Sequence, residues 1–246
     1  MQVEIMPTEA LGAEAARRAS EVILHALEKN GQATIVVATG ASQFDVLAHL
    51  TADSRIDWAR ITAFHLDEYV GLPPTHPASF GKYLQERFVA ATGGRVRFVP
   101  IDGMAADAAA EARRLGHLIA GREIDVCLAG IGENCHLAFN DPVADFETDA
   151  PYIVVELDEA CRRQQVSEGW FATLDEVPRT AITMSIRQMM KAGTMIVSVP
   201  EARKAVAVRD AVDGEVTPHH PASILQRHER CALLLDQHSA ALLEAR

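Results

Sequence analysis

The sequence lacks the features of a membrane-spanning, exported or nucleic-acid-binding protein. No apolar run of about 18 residues occurs, and the acidic start MQVEIMPTEA has no basic segment, so we expect neither a membrane span nor a signal peptide. Basic residues are few, 23 against 34 acidic ones. The resulting net charge of −11 argues against binding to nucleic acid or to an anionic membrane surface.

Cysteine is also scarce, and its spacing excludes the usual zinc and disulfide frameworks. The four cysteines, Cys127, Cys135, Cys161 and Cys231, form no C-x-x-C pair. Reduced thiols in a cytoplasmic protein are therefore the expected state. The neighbouring His219 and His220 have no cysteine or acid at ligand spacing, so the sequence predicts no metal site.

Helical and strand patterns alternate along the chain without a linker or repeat. Apolar residues at helical spacing predict a helix over 8–30 that ends at Gly31, and a β-branched run predicts a buried strand over 33–40. Further strands are predicted at 61–66, 95–100, 124–130, 152–157, 181–185, 194–199 and 231–236, and further helices at 42–52, 79–91, 104–120, 201–213, 221–227 and 237–244.

Strands separated by helices imply right-handed crossovers and hence a parallel sheet. We therefore expect a single α/β domain over residues 1–246. It would be a three-layer, Rossmann-like domain with a mostly parallel sheet and helices on both faces. Ligands bind such sheets beyond the carboxyl ends of the strands, so the turns after strands are the candidate sites.

The first such turn contains Thr39, Gly40, Ala41 and Ser42. Gly40 permits a close backbone approach, and N–H groups at a helix start attract an anion such as phosphate. A plain tight turn with Ser42 as a helix cap explains these residues equally well. There is no G-x-G-x-x-G and no G-K-[ST], so a nucleotide site has little support.

The second turn carries two adjacent acids, Asp67 and Glu68, directly after a predicted strand. A carboxylate at the edge of a sheet can act as a general base when desolvation raises its pKa. One of the two would then face the site, and the other would make a supporting hydrogen bond or lie on the reverse face. The alternative, which the pair by itself favours, is a helix-capping aspartate beside a solvated glutamate.

The third turn, residues 130–142, is rich in functional groups. It contains a Gly-x-Gly turn followed by Asn134, His136 and Asp141. Histidine titrates near neutral pH, and the two neighbours could orient its ring or set its tautomer, so a role in proton transfer is favoured over a structural one.

Lys204 is one of only four lysines in the chain, against 19 arginines, and it follows a predicted strand at the start of a helix. From there its ammonium group could reach an anion. A solvated lysine on a helix face is the alternative, and without further support it is the favoured one.

Two segments resemble the glucosamine-6-phosphate deaminase family, which is related to the 6-phosphogluconolactonases. These are Leu66-Asp67-Glu68-Tyr69-Val70-Gly71-Leu72-Pro73 with the following His76-Pro77-x-Ser79-Phe80, and the segment Gly130-Ile131-Gly132 to Asn140-Asp141-Pro142. The resemblance extends from the first predicted strand to about Asp236. The lactonase branch typically has Arg at the position of Tyr69, and this chain follows the deaminase form.

The resemblance implies the α/β fold of the deaminase/isomerase type and an isomerising deamination. An amino-sugar phosphate and water would give a ketose phosphate and ammonia, with no cofactor. By resemblance, Asp67 moves a proton between C2 and C1, and His136 opens the sugar ring. The phosphate would be bound by Thr39, Gly40, Ala41, Ser42 and Lys204.

The chain departs from the family pattern at several positions. Asn134-Cys135 replaces the common Asp-Gly, and Asp141 replaces a common Glu. Arg162 and Arg163 are equal candidates for the arginine with which the family binds substrate.

The segment 143–147 lacks the Ser and basic residues with which regulated deaminases bind an allosteric phosphosugar. We therefore expect no such activation and a smaller oligomer, and whether the chain forms a homo-oligomer stays open.

Three alternatives remain. One is a lactonase-like hydrolase in which His136 activates water. The second is an enzyme for another hexosamine phosphate, such as a galactosamine isomer. The third is a sugar-phosphate sensor without catalysis, against which the retained Asp67 and His136 argue.

Overall fold

The computed structural model describes residues 1–244. The strands within this range are β1 (Gln2–Met6), β2 (Ala33–Val37), β3 (Ile61–His65), β4 (Asp67–Tyr69), β5 (Arg97–Val99), β6 (Val126–Ala129), β7 (Tyr152–Glu156), β8 (Thr180–Met184), β9 (Thr194–Val199) and β10 (Cys231–Asp236). The helices are α1 (Thr8–Asn30), α2 (Phe44–Thr51), α3 (Phe80–Leu84), α4 (Ala108–Ile119), α5 (Glu159–Ser167), α6 (Ile186–Met189) and α7 (Ala205–Val212).

Seven strands form one parallel sheet in the order β1-β10-β9-β6-β2-β3-β5. Every residue of β2 is buried, as expected for a central strand covered on both faces. Because all seven strands run in the same direction, their carboxyl ends lie along one edge. The predicted mostly parallel sheet is confirmed.

Helices cover both faces of this sheet. Residues of α1 and α2, such as Ile23 and Leu47, join the core cluster on one face. Residues of α4 and α7, such as Leu115 and Val208, join the cluster on the other face. α1 has the predicted bounds and ends at Gly31, whose φ of 75° is the left-handed conformation of a glycine C-cap.

A second, three-stranded antiparallel sheet, β4-β8-β7, lies outside the parallel one. The predicted strands at 152–157 and 181–185 therefore exist but pair with each other rather than joining the main sheet. The alternating burial along β7 is the pattern of a strand with one solvated face. Asp67 and Glu68, predicted in a turn, form β4, which follows β3 after Leu66 alone.

Other boundaries differ from the predictions for local reasons. The predicted last helix at 237–244 is a series of turns, because Asp236 Oδ1 accepts the backbone N–H groups of His238 and Ser239. Residues Pro221–Arg227 form a 3₁₀-helix rather than an α-helix. β1, at the edge of the sheet, and the short helices α5 and α6 were not predicted.

No helix in the part of the chain that the structure describes is long and apolar enough to cross a membrane.

The contact between α1 and α2 depends on a glycine. A Cβ on Gly12 would lie 2.4 Å from Asp45 Cβ and 3.0 Å from its backbone carbon, whereas one on Gly116 of α4 would meet only Pro151, at 3.4 Å. In a helix interior, replacing glycine by alanine normally stabilises by about 0.5–1 kcal/mol. Overpacking costs about 1–3 kcal/mol.

We therefore expect Gly12→Ala to lower the free energy of unfolding and Gly116→Ala to raise or maintain it, as measured by urea denaturation. Equal changes in the two variants would contradict this account of the α1–α2 contact.

Candidate active site

One cleft lies at the edge where the parallel strands end. It is lined by the turn after β2, the start of β4, the turn after β6, the inner side of α5 and the turn after β9. Of the residues proposed from the sequence, those that line it are Thr39, Gly40, Ala41, Ser42, Asp67, His136 and Lys204. Segments more than 160 residues apart in the sequence thus meet at one place, as expected for this class of sheet.

The turn after β2 is held by a buried glutamine. Gln43 Nε2 donates to Ser42 Oγ, to the carbonyl of Ala129 at the end of β6, and to Ser198 Oγ of β9, over distances of 3.0–3.2 Å. Gly40 has a φ of 101° and a ψ of 163°, a conformation open only to glycine. This turn is therefore fixed relative to two neighbouring strands before any ligand binds.

Asp67 is the buried acid that faces the cleft. Its side chain accepts no hydrogen bond from the residues that the structure describes, and the residue is 7% exposed. Burial, with a smaller contribution from the nearby Glu68 carboxylate, raises the pKa of Asp67 to about 8. A carboxyl group with such a pKa can accept and return a proton near neutral pH.

Glu68 faces away from Asp67 and anchors the start of α3. Its carboxylate accepts hydrogen bonds from Ser79 Oγ (2.8 Å) and from the backbone N–H groups of Gly81 (2.7 Å) and Tyr69 (2.9 Å). The pair thus divides as the sequence suggested, with one acid in the cleft and the other making supporting hydrogen bonds. Burial raises the pKa of Glu68 even though these bonds oppose the shift.

His136 lies on the opposite wall, packed over a glycine. A Cβ added to Gly132 would lie 2.2 Å from the imidazole, so the ring occupies space that only glycine leaves free. Nδ1 lies 3.2 Å from Asp141 Oδ1, a close contact without the geometry of an aligned hydrogen bond.

Burial would raise the pKa of Asp141, but the neighbouring imidazole and the Asn134 amide outweigh it and hold that pKa below its usual value. Asp141 therefore stays ionised beside the ring.

Asn134 does not contact the imidazole. Its Nδ2 donates to Asp141 Oδ1 (3.0 Å) and to Asp158 Oδ2 (2.9 Å), and its Oδ1 accepts the backbone N–H of His136 (3.2 Å). Asn134 therefore acts on the ring only indirectly, since it fixes the Asp141 carboxylate and the backbone of His136.

Lys204 provides an ammonium group at the other end of the cleft. The residue is 8% exposed, and its Nζ has no hydrogen-bond or ion-pair partner among the described residues. Burial lowers the pKa of Lys204, while the carboxylates of Glu168 and Glu133 oppose the shift.

The turn that carries Lys204 is tied to the end of β10. Asp236 Oδ2 accepts the backbone N–H of Glu201 (3.1 Å) and the hydroxyl of Thr8 (2.9 Å).

Strained backbone is concentrated at this cleft. Among the described residues, only Cys135, Ala138 and Glu201 have a positive φ without being glycine, at 69°, 52° and 83°. The first two flank His136, and the third begins the turn that carries Lys204. Such conformations cost about 1–3 kcal/mol each and cluster where function requires a fixed geometry.

Neither Arg162 nor Arg163, the two candidates for a substrate-binding arginine, lines the cleft. The Arg162 guanidinium donates to the carbonyls of Leu174 (2.5 Å) and Val177 (3.1 Å), and Arg163 pairs with Glu159 on the exposed face of α5. The geometry therefore does not support a contact between either arginine and substrate. A helix places neighbouring residues on different faces, and the sequence does not show which face of α5 meets the cleft.

That face instead presents residues that the sequence analysis did not identify: Gln164, Gln165, Glu168 and, from the turn after β9, Arg203. Tyr69 OH donates to Gln165 Oε1 (2.9 Å), so Tyr69 holds a side chain of the cleft wall in place. The i, i+4 spacing of Gln164 and Glu168, which are hydrogen-bonded at 2.8 Å, was the signal available in the sequence.

One cluster of described residues has the composition of a metal site. Donor atoms of His136, Asp141 and Cys161 lie within 4.8 Å of one another. Burial, followed by the nearby acids, raises the pKa of the Cys161 thiol well above its usual range. Both oxygens of Asp141 already accept hydrogen bonds, from Asn134 Nδ2 and from the backbone N–H of Asp158, so this carboxylate is engaged without an ion.

Comparisons with known proteins agree with this arrangement. Residues 7–233 match the family of glucosamine-6-phosphate isomerases and 6-phosphogluconolactonases. A glucosamine-6-phosphate deaminase from Exiguobacterium sibiricum is 40% identical over 210 residues, which cover 85% of this chain and 81% of the relative. One from Oenococcus oeni is 30% identical over 243 residues, 99% of each chain.

Solved structures show the same fold. A monomeric glucosamine-6-phosphate deaminase matches with a TM-score of 0.87 and 29% identity, over 98% of this chain and all of that one. A 6-phosphogluconolactonase from Trypanosoma brucei matches with a TM-score of 0.82 over 99% of this chain and 98% of that one. Its identity is 18%, so that likeness concerns the fold alone.

The packing of His136 over Gly132 gives a direct test of the site. The Cβ of Gly132→Ala must displace the imidazole, and a shift of about 1 Å in a catalytic group can cost about 100-fold in rate. We expect turnover to fall by about that factor or more while the circular dichroism spectrum and melting temperature change little.

Gly193→Ala, whose Cβ would meet only ordinary contacts at 3.4 Å outside the cleft, is the control. Full activity in Gly132→Ala would show that the position of the ring is not critical.

Proposed function

The chain belongs to the family of glucosamine-6-phosphate isomerases and 6-phosphogluconolactonases, and we propose that it catalyses the isomerising deamination of glucosamine 6-phosphate. The reaction converts this sugar phosphate and water to fructose 6-phosphate and ammonia. The observation that carries the proposal is the buried Asp67 carboxyl group, with a pKa raised to about 8, in a cleft that also contains His136 and Lys204. The relatives named as glucosamine-6-phosphate deaminases support it.

Substrate binding places the phosphate at one end of the cleft. The unpaired Lys204 ammonium supplies positive charge there, and the fixed turn of Thr39–Ser42 offers backbone N–H groups to the phosphate oxygens. These contacts are the same in the ground state and in the transition state. They therefore contribute to affinity and to the placement of the sugar carbons rather than to the chemical step itself.

Ring opening is the task of His136. Its imidazole takes the proton from the hydroxyl on C1 and returns a proton to the ring oxygen, which breaks the C1–O5 bond and yields the open-chain aldehyde. The carboxylate of Asp141, 3.2 Å from Nδ1, stabilises the imidazolium that forms between the two transfers. Asn134 is a positioning residue, since it donates to Asp141 and touches only the backbone of His136.

Asp67 then moves the proton between the two carbons. It removes the proton from C2 while the C1 carbonyl oxygen takes up a proton from solvent, which gives an enolamine. It then returns its proton to C1, which leaves a protonated imine at C2. Water adds to this imine, and ammonia leaves. The raised pKa of Asp67 makes the carboxylate basic enough to take the proton and lets the acid form persist long enough to return it.

We also propose a cytoplasmic location. It is supported by the four cysteines, which are all free and buried, as is usual for proteins of reducing compartments.

Ammonia release from a panel of hexosamine 6-phosphates tests the proposed reaction. We expect release from glucosamine 6-phosphate, little from its galactosamine isomer, and no hydrolysis of 6-phosphogluconolactone. Asp67→Asn keeps the shape of the side chain but cannot take the C2 proton, so its turnover should fall by about 100- to 10,000-fold with phosphosugar binding retained. Lactone hydrolysis in place of ammonia release, or near-normal turnover in Asp67→Asn, would contradict the proposal.

The raised pKa of Asp67 also predicts how stability depends on pH. Between the ordinary value of 3.8 and about 8, the folded protein holds a proton that the unfolded chain has released. The stability of the wild type relative to Asp67→Asn therefore decreases as pH rises through this range, by up to about 1.4 kcal/mol per pH unit.

Urea denaturation of both proteins at several pH values between 5 and 8 measures this change. A difference that stays constant with pH would show that the carboxyl group is not desolvated.

A further inference from the structure

Arg203 is the one guanidinium among the described residues that lines the cleft, and it precedes Lys204 in the turn after β9. The proposed reaction assigns it no role. Arg203 lies at the phosphate end of the cleft, next to the unpaired Lys204. The contacts of the Arg203 guanidinium therefore show whether it can also bind phosphate.

Three carboxylates from three segments surround this guanidinium. Nε lies 2.6 Å from Glu201 Oε2, Nη1 lies 3.1 Å from Glu133 Oε1, and Nη2 lies 3.4 Å from Glu168 Oε1. Glu133 follows β6, Glu168 follows α5, and Glu201 follows β9. The guanidinium thus connects three segments that form the wall and the mouth of the cleft.

These ion pairs do not exhaust the donors of Arg203. A guanidinium has five N–H groups, and the three contacts use at most three of them. One N–H remains on each of Nη1 and Nη2 without a partner among the described residues. Two donors in a planar fork match the oxygens of a phosphate group, which the single ammonium of Lys204 does not.

The surrounding charge gives a second reason for a role in binding. Glu168 is fixed at the cleft, with a side chain only 10% exposed and held by Gln164 (2.8 Å) and Trp170 (3.3 Å). Without the guanidinium, this fixed carboxylate would repel a phosphate bound at Lys204. The positive charge of Arg203 therefore offsets the negative charge of Glu168 next to the bound phosphate.

We propose that Arg203 is a second phosphate-binding residue, which donates its two free N–H groups to the substrate while its carboxylate partners hold it in place. The inference rests on the proposed function, because it takes the sugar phosphate as the ligand. It replaces the predicted contact from Arg162 or Arg163 by one from the opposite side of the cleft.

Two ligands test this inference: glucosamine 6-phosphate in steady-state kinetics and inorganic phosphate in calorimetry. Arg203→Gln should raise both the KM of the sugar phosphate and the Kd of inorganic phosphate by about 10- to 100-fold, with kcat nearly unchanged. Arg203→Lys should give a smaller rise, because one ammonium cannot serve the carboxylates and the phosphate together. Arg163→Gln removes an arginine that pairs with Glu159 alone on the exposed face of α5, and it should change neither constant.

A double variant separates binding from a purely structural clamp. Arg203→Gln leaves Glu168 facing the phosphate, so adding Glu168→Gln should recover part of the lost affinity. If Arg203 only holds the three segments together, Arg203→Gln should lower the melting temperature and kcat while KM and Kd stay unchanged. Adding Glu168→Gln should then recover no affinity. That result would overturn the inference. If Arg203→Gln does not fold, Arg203→Lys provides the test: a rise in KM with kcat unchanged supports phosphate binding, and a fall in kcat with KM unchanged contradicts it.

The same measurements distinguish a failure of the phosphate contact from a failure of the proposed reaction. Ammonia release with an Arg203→Gln variant that binds both ligands normally would overturn the inference and leave the proposed function in place. No turnover of any hexosamine phosphate, together with phosphate binding that depends on Arg203, would overturn the proposed function alone. A wild type that binds no inorganic phosphate would overturn the inference.

Discussion

The desolvation of the Asp67 carboxyl group is the constraint on which the rest of the site depends. A carboxyl group in water has a pKa too low to take a proton from carbon effectively at neutral pH. Here the chain turns directly from β3 into β4, so Asp67 is buried at the end of the parallel sheet and still faces the cleft. Glu68 makes this burial tolerable, because its own carboxylate is directed into hydrogen bonds at the start of α3.

Buried polar side chains link the turns that meet at the cleft. Gln43 joins the turn after β2 to the ends of β6 and β9, and Asp236 joins the turn after β9 to β10 and α1. Arg203 adds a third connection on the exposed side. Parallel strands bring these turns to one edge, but only such cross-links fix their relative positions closely enough for proton transfer.

The sequence predicted the parallel sheet because β-branched runs and helical periods alternate, and this pattern depends on local chemistry. It placed Asp67 and His136 correctly at the sheet edge because strand ends can be located from the same pattern. It did not predict the second sheet, since antiparallel pairing of β7 and β8 is a contact between distant segments. It likewise left Arg162 and Arg163 as equal candidates for a substrate contact that neither makes, because the sequence does not show which face of a short helix meets the cleft.

Hydrogen exchange at carbon tests most directly whether Asp67 moves a proton between C1 and C2. Fructose 6-phosphate and ammonium, incubated with the protein in D₂O, run the reaction backwards, and proton NMR follows the hydrogens on C1. We expect exchange of one of the two C1 hydrogens with the wild type and none with Asp67→Asn. Equal exchange with both proteins, or no exchange with the wild type, would contradict it.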